Sequence, residues 1–178
     1  METEGGGWTV ILKREDGSVN FSRNWDDYKY GFGNASTEYW IGNEMMHNLS
    51  ASRLYVMITH INGSVFYQTY GHFYVASEAT GYKLYFGEQS GTMGNAFMYG
   101  SSATQLHSKE FSTVDRDQDR NADINCAALS GGAGWWYNSC HRALLTGPYG
   151  TTEWTHPWSP VFEDGTQVKA VRMMMKRK

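Results

Sequence analysis

The strongest constraint on this chain is an alternating run, RLYVMITH at residues 53–60, that ends beside Asn62-Gly63. Leu54, Val56 and Ile58 alternate with Tyr55, Met57 and Thr59, the two-residue period of a strand with one buried face. Asn-Gly tolerates the positive φ angles of a two-residue hairpin turn, and Val65, Tyr67 and Thr69 resume the alternation beyond it. An antiparallel sheet is therefore the organising element of the first half.

Weaker signals flank the hairpin. Trp8, Val10 and Leu12 alternate with Thr9, Ile11 and Lys13 as a strand that turns at Asp16-Gly17. From Ser22 to Tyr30 a capping residue, early acids and Trp25 and Tyr28 three apart predict a short helix stopped by Gly31 and Gly33. A second short helix is expected over Asn43–Asn48, with Met45, Met46 and Leu49 on its apolar side. Further strands fit His72–Ala76 and Tyr82–Phe86. After Gly87 glycine, serine, asparagine and aspartate dominate to about residue 165, and a loop-rich region of that length must be functional, stapled, or both. Gln167–Lys176 is strand-like and is expected to rejoin the first sheet. The reading is one α+β domain over residues 1–178: an antiparallel twisted sheet with short helices, about 1–100 and 166–178, and a loop-rich lobe, about 101–165.

Within the loop-rich region lies DRDQDRNADINC, then AALSGGAGWWYNSCH, ending at His141. Asp115, Asp117, Asp119 and Asp123 are close enough to repel by ~1 kcal/mol per pair in water and ~4 at a partly buried effective dielectric. A cation would relieve that repulsion. The alternative is a solvated acidic turn in which Arg116 and Arg120 neutralise two of the charges. The spacing matches the start of an EF-hand, but its sixth and twelfth positions hold Arg120 and Cys126, so that motif is rejected while calcium is not. Cys126 and Cys140 are the only cysteines; as a disulfide they close a loop of about 15 residues, contributing ~3 kcal/mol. Zinc is the rival reading, weakened by the absence of Cys-x-x-Cys and by His141 adjoining Cys140.

A net charge of -3 and a pI near 6.0 leave no basic stripe for nucleic acid; only Lys176, Arg177 and Lys178 form a basic run. Aromatic residues make up 15% of the chain at a mean hydropathy of -0.55, which suits aromatic surfaces shown to a ligand, although tryptophan is more often in a core. No apolar run is long enough to span a membrane. Met1 leads straight into Glu2 and Glu4, without a signal peptide, so a secreted protein, as a lone disulfide suggests, would make this an excised or processed domain. Sequons for N-glycosylation stand at Asn20, Asn34, Asn48 and Asn62, in agreement with secretion.

Five blocks carry a family resemblance: EGGGWTVILKREDGSVNFSRNWDDY at 4–28, YWIGNE at 39–44, YKLYFGEQSGTMGNAF at 82–97, FSTVDRDQD at 111–119 and WWYNSCH at 135–141. They resemble the fibrinogen-like C-terminal domain, shared by fibrinogen chains, ficolins, tachylectins and angiopoietins, over the whole chain. That domain usually begins some 40 residues earlier, so an N-terminally trimmed version is expected. The resemblance implies calcium held by the side chains of Asp117 and Asp119 and the carbonyls of Asn121 and Asp123, with Asp115 serving the loop. It also implies a cis peptide at Ser139–Cys140, with the Cys140 and His141 amides binding an acetyl oxygen. Ser130 replaces a pocket tyrosine of many family lectins, and the loop between Gly150 and Trp154 is shortened to GTTEW.

The leading expectation is a secreted, calcium-binding, lectin-like module of innate immunity for microbial glycans or acetylated groups. Trp136, Tyr137, Tyr149, Trp154 and Trp158 would gather near His141 as its ligand-binding rings. The alternative is a protein-binding module that takes a peptide or receptor without sugar specificity. An oligomer is expected in the full-length protein, through a stalk upstream. No catalytic residue is expected, since no H-E-x-x-H, nucleophile elbow or phosphate-binding glycine loop occurs.

Overall fold

The computed structural model describes residues 6–49 and 53–177. Glu4, Gly5, Ser50 and Lys178, used above in the first family block, the triple glycine, the Asn48 sequon and the basic run, lie outside the described residues. In chain order the elements begin with β1 (Thr9–Arg14), α1 (Trp25–Tyr30), β2 (Phe32–Gly33), β3 (Tyr39–Trp40), α2 (Asn43–Asn48), β4 (Arg53–His60) and β5 (Val65–Gly71). They continue with β6 (Tyr74–Val75), β7 (Leu84–Tyr85), β8 (Gln89–Gly91), α3 (Cys126–Leu129), β9 (Thr155–Trp158), β10 (Phe162–Asp164) and β11 (Val168–Lys176).

The hairpin forms, but around a loop of three residues and not two: the His60 N–H donates to the Ser64 carbonyl at 2.8 Å, which leaves Ile61, Asn62 and Gly63 in the turn, and of these Gly63 alone has a positive φ. Tyr55 faces Thr69, Met57 faces Tyr67 and Thr59 faces Val65, while Leu54, Val56 and Ile58 are fully buried on the other face. β11 lies between β4 and β1, so the last segment becomes the middle of a seven-stranded sheet in the order β2-β3-β1-β11-β4-β5-β8. Its pairings are antiparallel throughout, giving the α+β arrangement expected. Among the described residues no helix is long and apolar enough to cross a membrane.

Three details differ from the sequence reading. α1 starts at Trp25 because Asn24, not Ser22, accepts the Asp27 N–H at 2.9 Å as the cap. The strands near residues 72–86 shorten to β6 and β7, which pair with each other in a separate ribbon. In β1 the register against β11 shifts between Val10 and Leu12, and this bulge lets Ile11 and Leu12 both enter the core.

The bulge also turns Arg14 inward, where it is 2% exposed. Its guanidinium donates to the carbonyls of Leu145 at 3.3 Å and Gly147 at 2.9 Å and lies 3.9 Å from the Phe21 ring centre. Burial lowers its pKa to about 10, so it stays charged at neutral pH, and the fully buried Glu38 sits 3.9 Å away. Glu38 also accepts the backbone N–H groups of Glu15, Asp16, Gly17 and Val19 at 2.7 to 3.1 Å. One carboxylate thus holds the Asp16-Gly17 turn and balances the buried cation that reaches the loop at 145–147. Removing one partner of such a pair leaves an uncompensated charge, so Glu38→Ala is expected to lower stability by about 3–5 kcal/mol in urea denaturation. A loss below about 1 kcal/mol, the scale of an exposed pair, would contradict this role.

Candidate functional site

The acidic loop is a succession of turns closed by its own side chains. Asp115 accepts the Trp25 N–H at 3.0 Å and the Thr113 hydroxyl at 2.7 Å, which fastens the loop to the start of α1. Asp117 accepts the Asp119 N–H at 3.2 Å, and Asp119 accepts those of Asn121 at 2.8 Å and Cys126 at 2.7 Å. The Asn121 side chain accepts the N–H groups of Asp123 and Ile124 at 3.0 and 3.3 Å.

The two arginines of the loop do not neutralise it. Arg116 lies 3.9 Å over the Trp25 ring and 3.6 Å from Glu78, and Arg120 pairs with Glu110 at 3.0 Å. Burial raises the Asp119 carboxyl above its ordinary value; the Cys126 and Asn121 N–H groups oppose the rise, and the adjoining Asp117 carboxylate adds to it. The carbonyls of Asn121 and Asp123 accept no hydrogen bond from the described residues. Among those residues no cluster of three or more His, Cys, Asp or Glu side chains could hold a metal, so an ion here needs backbone oxygen beside the two carboxylates. That all-oxygen donor set fits a hard divalent cation.

Cys126 and Cys140 form the disulfide, with Cα atoms 5.6 Å apart, which removes the zinc reading. Because the Cys126 N–H donates to Asp119, the bridge and the acidic loop share a residue. The Arg120 N–H donates to the Asn138 carbonyl at 3.0 Å, so the loop also touches the segment before Cys140. That segment is fixed from behind: Asn138 donates to the carbonyls of Ser102 and Gln105 at 2.8 and 2.9 Å, and the Ser139 N–H to Ala103 at 2.8 Å. The Ser139–Cys140 peptide is cis. The N–H groups of Cys140 and His141 donate to no described residue.

The aromatic residues expected as a ligand wall face inward instead. Trp136, Tyr137, Trp154 and Trp158 are fully buried, and each polar atom is satisfied inside. Trp136 donates to Tyr82 at 2.7 Å, Tyr137 to Ala133 at 2.6 Å, Trp154 to Leu144 at 2.6 Å and Trp158 to Gly94 at 3.1 Å, all backbone carbonyls. Tyr149 is half-buried, and its hydroxyl lies 2.8 and 2.6 Å from the Glu15 and Lys169 carbonyls, which share its one proton. Indole and phenol groups combine a large apolar body with one donor, so burial against a loop carbonyl satisfies both.

Of the expected rings Tyr137 does reach His141, edge-on with ring centres 5.6 Å apart, and the rest of the surroundings are polar. The His141 Nε2 lies 3.2 Å from the Thr155 carbonyl, its Nδ1 is buried without a partner among the described residues, and its ring centre is 6.2 Å from that of His156. Arg142 reaches His156 at 3.1 Å, while His156 Nδ1 lies 2.7 Å from Glu163 and 3.1 Å from the Ser159 hydroxyl. The hairpin of β9 and β10 brings these residues beside the disulfide. Sequence reasoning missed Arg142, His156, Ser159 and Glu163; Arg142 next to His141 was the only local hint.

Burial lowers the His141 pKa from the ordinary 6.5 to about 4; the Thr155 carbonyl opposes this, while His156 and Arg142 reinforce it. The folded state therefore keeps the ring neutral where the unfolded chain binds a proton, and stability falls as pH drops from 6.5 towards 4. The difference between those values corresponds to ~3 kcal/mol. Urea denaturation at several pH values is expected to show this loss in the native sequence and a flatter profile in His141→Gln. Parallel profiles would contradict it.

The model of "Fibrinogen beta and gamma chains, C-terminal globular domain" matches residues 1–177. Fibroleukin of Bos taurus is 45% identical over 152 residues, covering 84% of this chain and 34% of the relative. Angiopoietin-1 of Homo sapiens is 40% identical over 159 residues, 88% of this chain and 30% of the relative, so the chain spans about a third of such proteins. Among solved structures, the fibrinogen-like globe domain of human ANGPTL2 has a TM-score of 0.86 at 35% identity, covering 98% of this chain and 82% of that one. A lamprey fibrin D-dimer, complexed with the peptide ligand Gly-His-Arg-Pro-amide, has a TM-score of 0.84 at 33% identity over 99% and 64%. These relatives overturn the expectation of a lectin of innate immunity for microbial glycans. The alternative reading, a protein-binding module, fits them better. The chain belongs to the fibrinogen C-terminal domain family, and it is a non-enzymatic domain.

Proposed function

We propose that this domain is an extracellular protein-binding module that grips a peptide segment of its partner around Cys140, His141 and the β9–β10 hairpin. The observation that carries this reading is the lamprey fibrin structure, the same fold with a peptide ligand. The chemistry agrees with it. The undonated N–H groups of Cys140 and His141 suit a peptide carbonyl, and Arg142 and Glu163 offer one charge of each sign at the rim. The disulfide and the fibroleukin and angiopoietin relatives support an extracellular setting. Peptides selected from a displayed library against the calcium-loaded domain are expected to bind Arg142→Ala at least about tenfold more weakly, which corresponds to ~1.4 kcal/mol. N-acetylglucosamine is expected not to displace them. Selected peptides that bind Arg142→Ala as well as the native domain would contradict this site.

The same reading places calcium in the acidic loop, on the side chains of Asp117 and Asp119 and the carbonyls of Asn121 and Asp123. When bound, the ion would supply positive charge to neutralise the paired carboxylates and brace Cys126 through Asp119. In calorimetry calcium is expected to bind the native domain and not Asp119→Asn. Thermal unfolding would move up with calcium, since saturation at a hundredfold over Kd contributes ~2.7 kcal/mol. No heat of binding and no thermal shift would contradict the assignment.

A further inference from the structure

We infer that Asn20, Asn34 and Asn62 carry N-linked glycans. All three asparagines and the serines two residues after them, Ser22, Ser36 and Ser64, are exposed. The local geometry repeats three times. The Asn side-chain oxygen accepts the N–H of the serine two residues on, at 2.8 Å for Asn20, 2.8 Å for Asn34 and 2.9 Å for Asn62.

Such a turn closes within three residues and needs nothing from the rest of the fold, so a nascent chain can adopt it before folding. It ties up the carboxamide oxygen and leaves the Nδ2 group, which is the nucleophile. In the transfer, Nδ2 loses one proton and forms a bond to the anomeric carbon of the sugar. The bond from that carbon to the pyrophosphate of a lipid-linked oligosaccharide donor breaks, and the pyrophosphate leaves with the electron pair. Once folded, each asparagine lies outside the core at a turn, where a bulky polar chain displaces no packed side chain.

Asn48 is different and is not included. It is the last residue of α2, its Nδ2 lies 3.5 Å from Glu44, and its carbonyl accepts from Arg177 at 3.4 Å. The whole stretch 101–165, which holds the acidic loop, the disulfide and His141, contains no sequon.

The inference rests on the extracellular reading, and its test is separated from that reading by fusing the chain to a heterologous signal sequence in a secreting eukaryotic cell. Cell-retained and secreted material are both digested with a peptide:N-glycosidase and mapped by mass spectrometry. The expected result is conversion of Asn20, Asn34 and Asn62 to aspartate by the enzyme, with one glycosidase-sensitive mass step lost in each of Asn20→Gln, Asn34→Gln and Asn62→Gln. Peptide binding by the deglycosylated domain is expected to be unchanged. An unmodified asparagine at any of the three positions, or occupancy of Asn48 alone, overturns the inference and leaves the peptide-binding reading untouched. Glycosylation as expected with no peptide binding would fail that reading instead.

Discussion

Between residues 99 and 154 the backbone has little ladder of its own, and buried indole and phenol groups take over the task of holding it. Trp136, Trp154 and Trp158 each put a ring into the core and a single N–H onto the carbonyl of a distant segment, at Tyr82, Leu144 and Gly94. The half-buried Tyr149 adds its hydroxyl, within 2.8 and 2.6 Å of the Glu15 and Lys169 carbonyls. A buried carbonyl without a partner costs about 1–3 kcal/mol, so these donors select one loop path out of many. The rings also touch: Trp136 lies 5.0 Å from Phe111 and 5.2 Å from Trp135 between centres, and Phe111 lies 5.2 Å from Tyr28.

On that scaffold the functional surface is assembled from segments far apart in the chain. Asp115 anchors the acidic loop to α1, Asp119 anchors it to Cys126, and the disulfide carries the connection to Cys140. Beyond the bridge, His141 and Arg142 meet His156 and Glu163 from the β9–β10 hairpin. The surface is charged and rich in hydrogen-bonding groups because the large apolar rings are spent on the interior. Such chemistry suits a peptide with its own amides and charges better than the methyl of an acetyl group.

Legibility followed the range of the interactions. The β4–β5 pair and α2 could be read because an apolar period is written within a few neighbouring residues, although the turn between the strands came out one residue longer and Met45, expected on the apolar side of α2, is 50% exposed. β11 could be read as a strand, and it did rejoin the first sheet. The bulge in β1 could not, since it depends on how Val10 and Leu12 meet Met174 and Met173 across the sheet. Nor could the separate pairing of β6 with β7. The rings misled for a physical reason: an amphipathic side chain suits a wet ligand pocket and a dry loop carbonyl equally well, and composition does not distinguish them. Arg142, His156 and Glu163 were invisible because only the fold brings them together, whereas the family blocks around the acidic loop and the disulfide stood out directly.

The buried tryptophans are internal struts and not a ligand-binding wall. Iodide quenching of the intrinsic tryptophan emission of the native domain tests it most directly, since Trp40, Trp135, Trp136, Trp154 and Trp158 are all 1% exposed or less. The expected emission is blue-shifted, with native-state quenching by iodide confined to the part-exposed Trp8 until the protein is unfolded, and N-acetylated sugars leave it unchanged. Quenching in the native state close to that of free indole, or a spectral shift on adding such sugars, would contradict it.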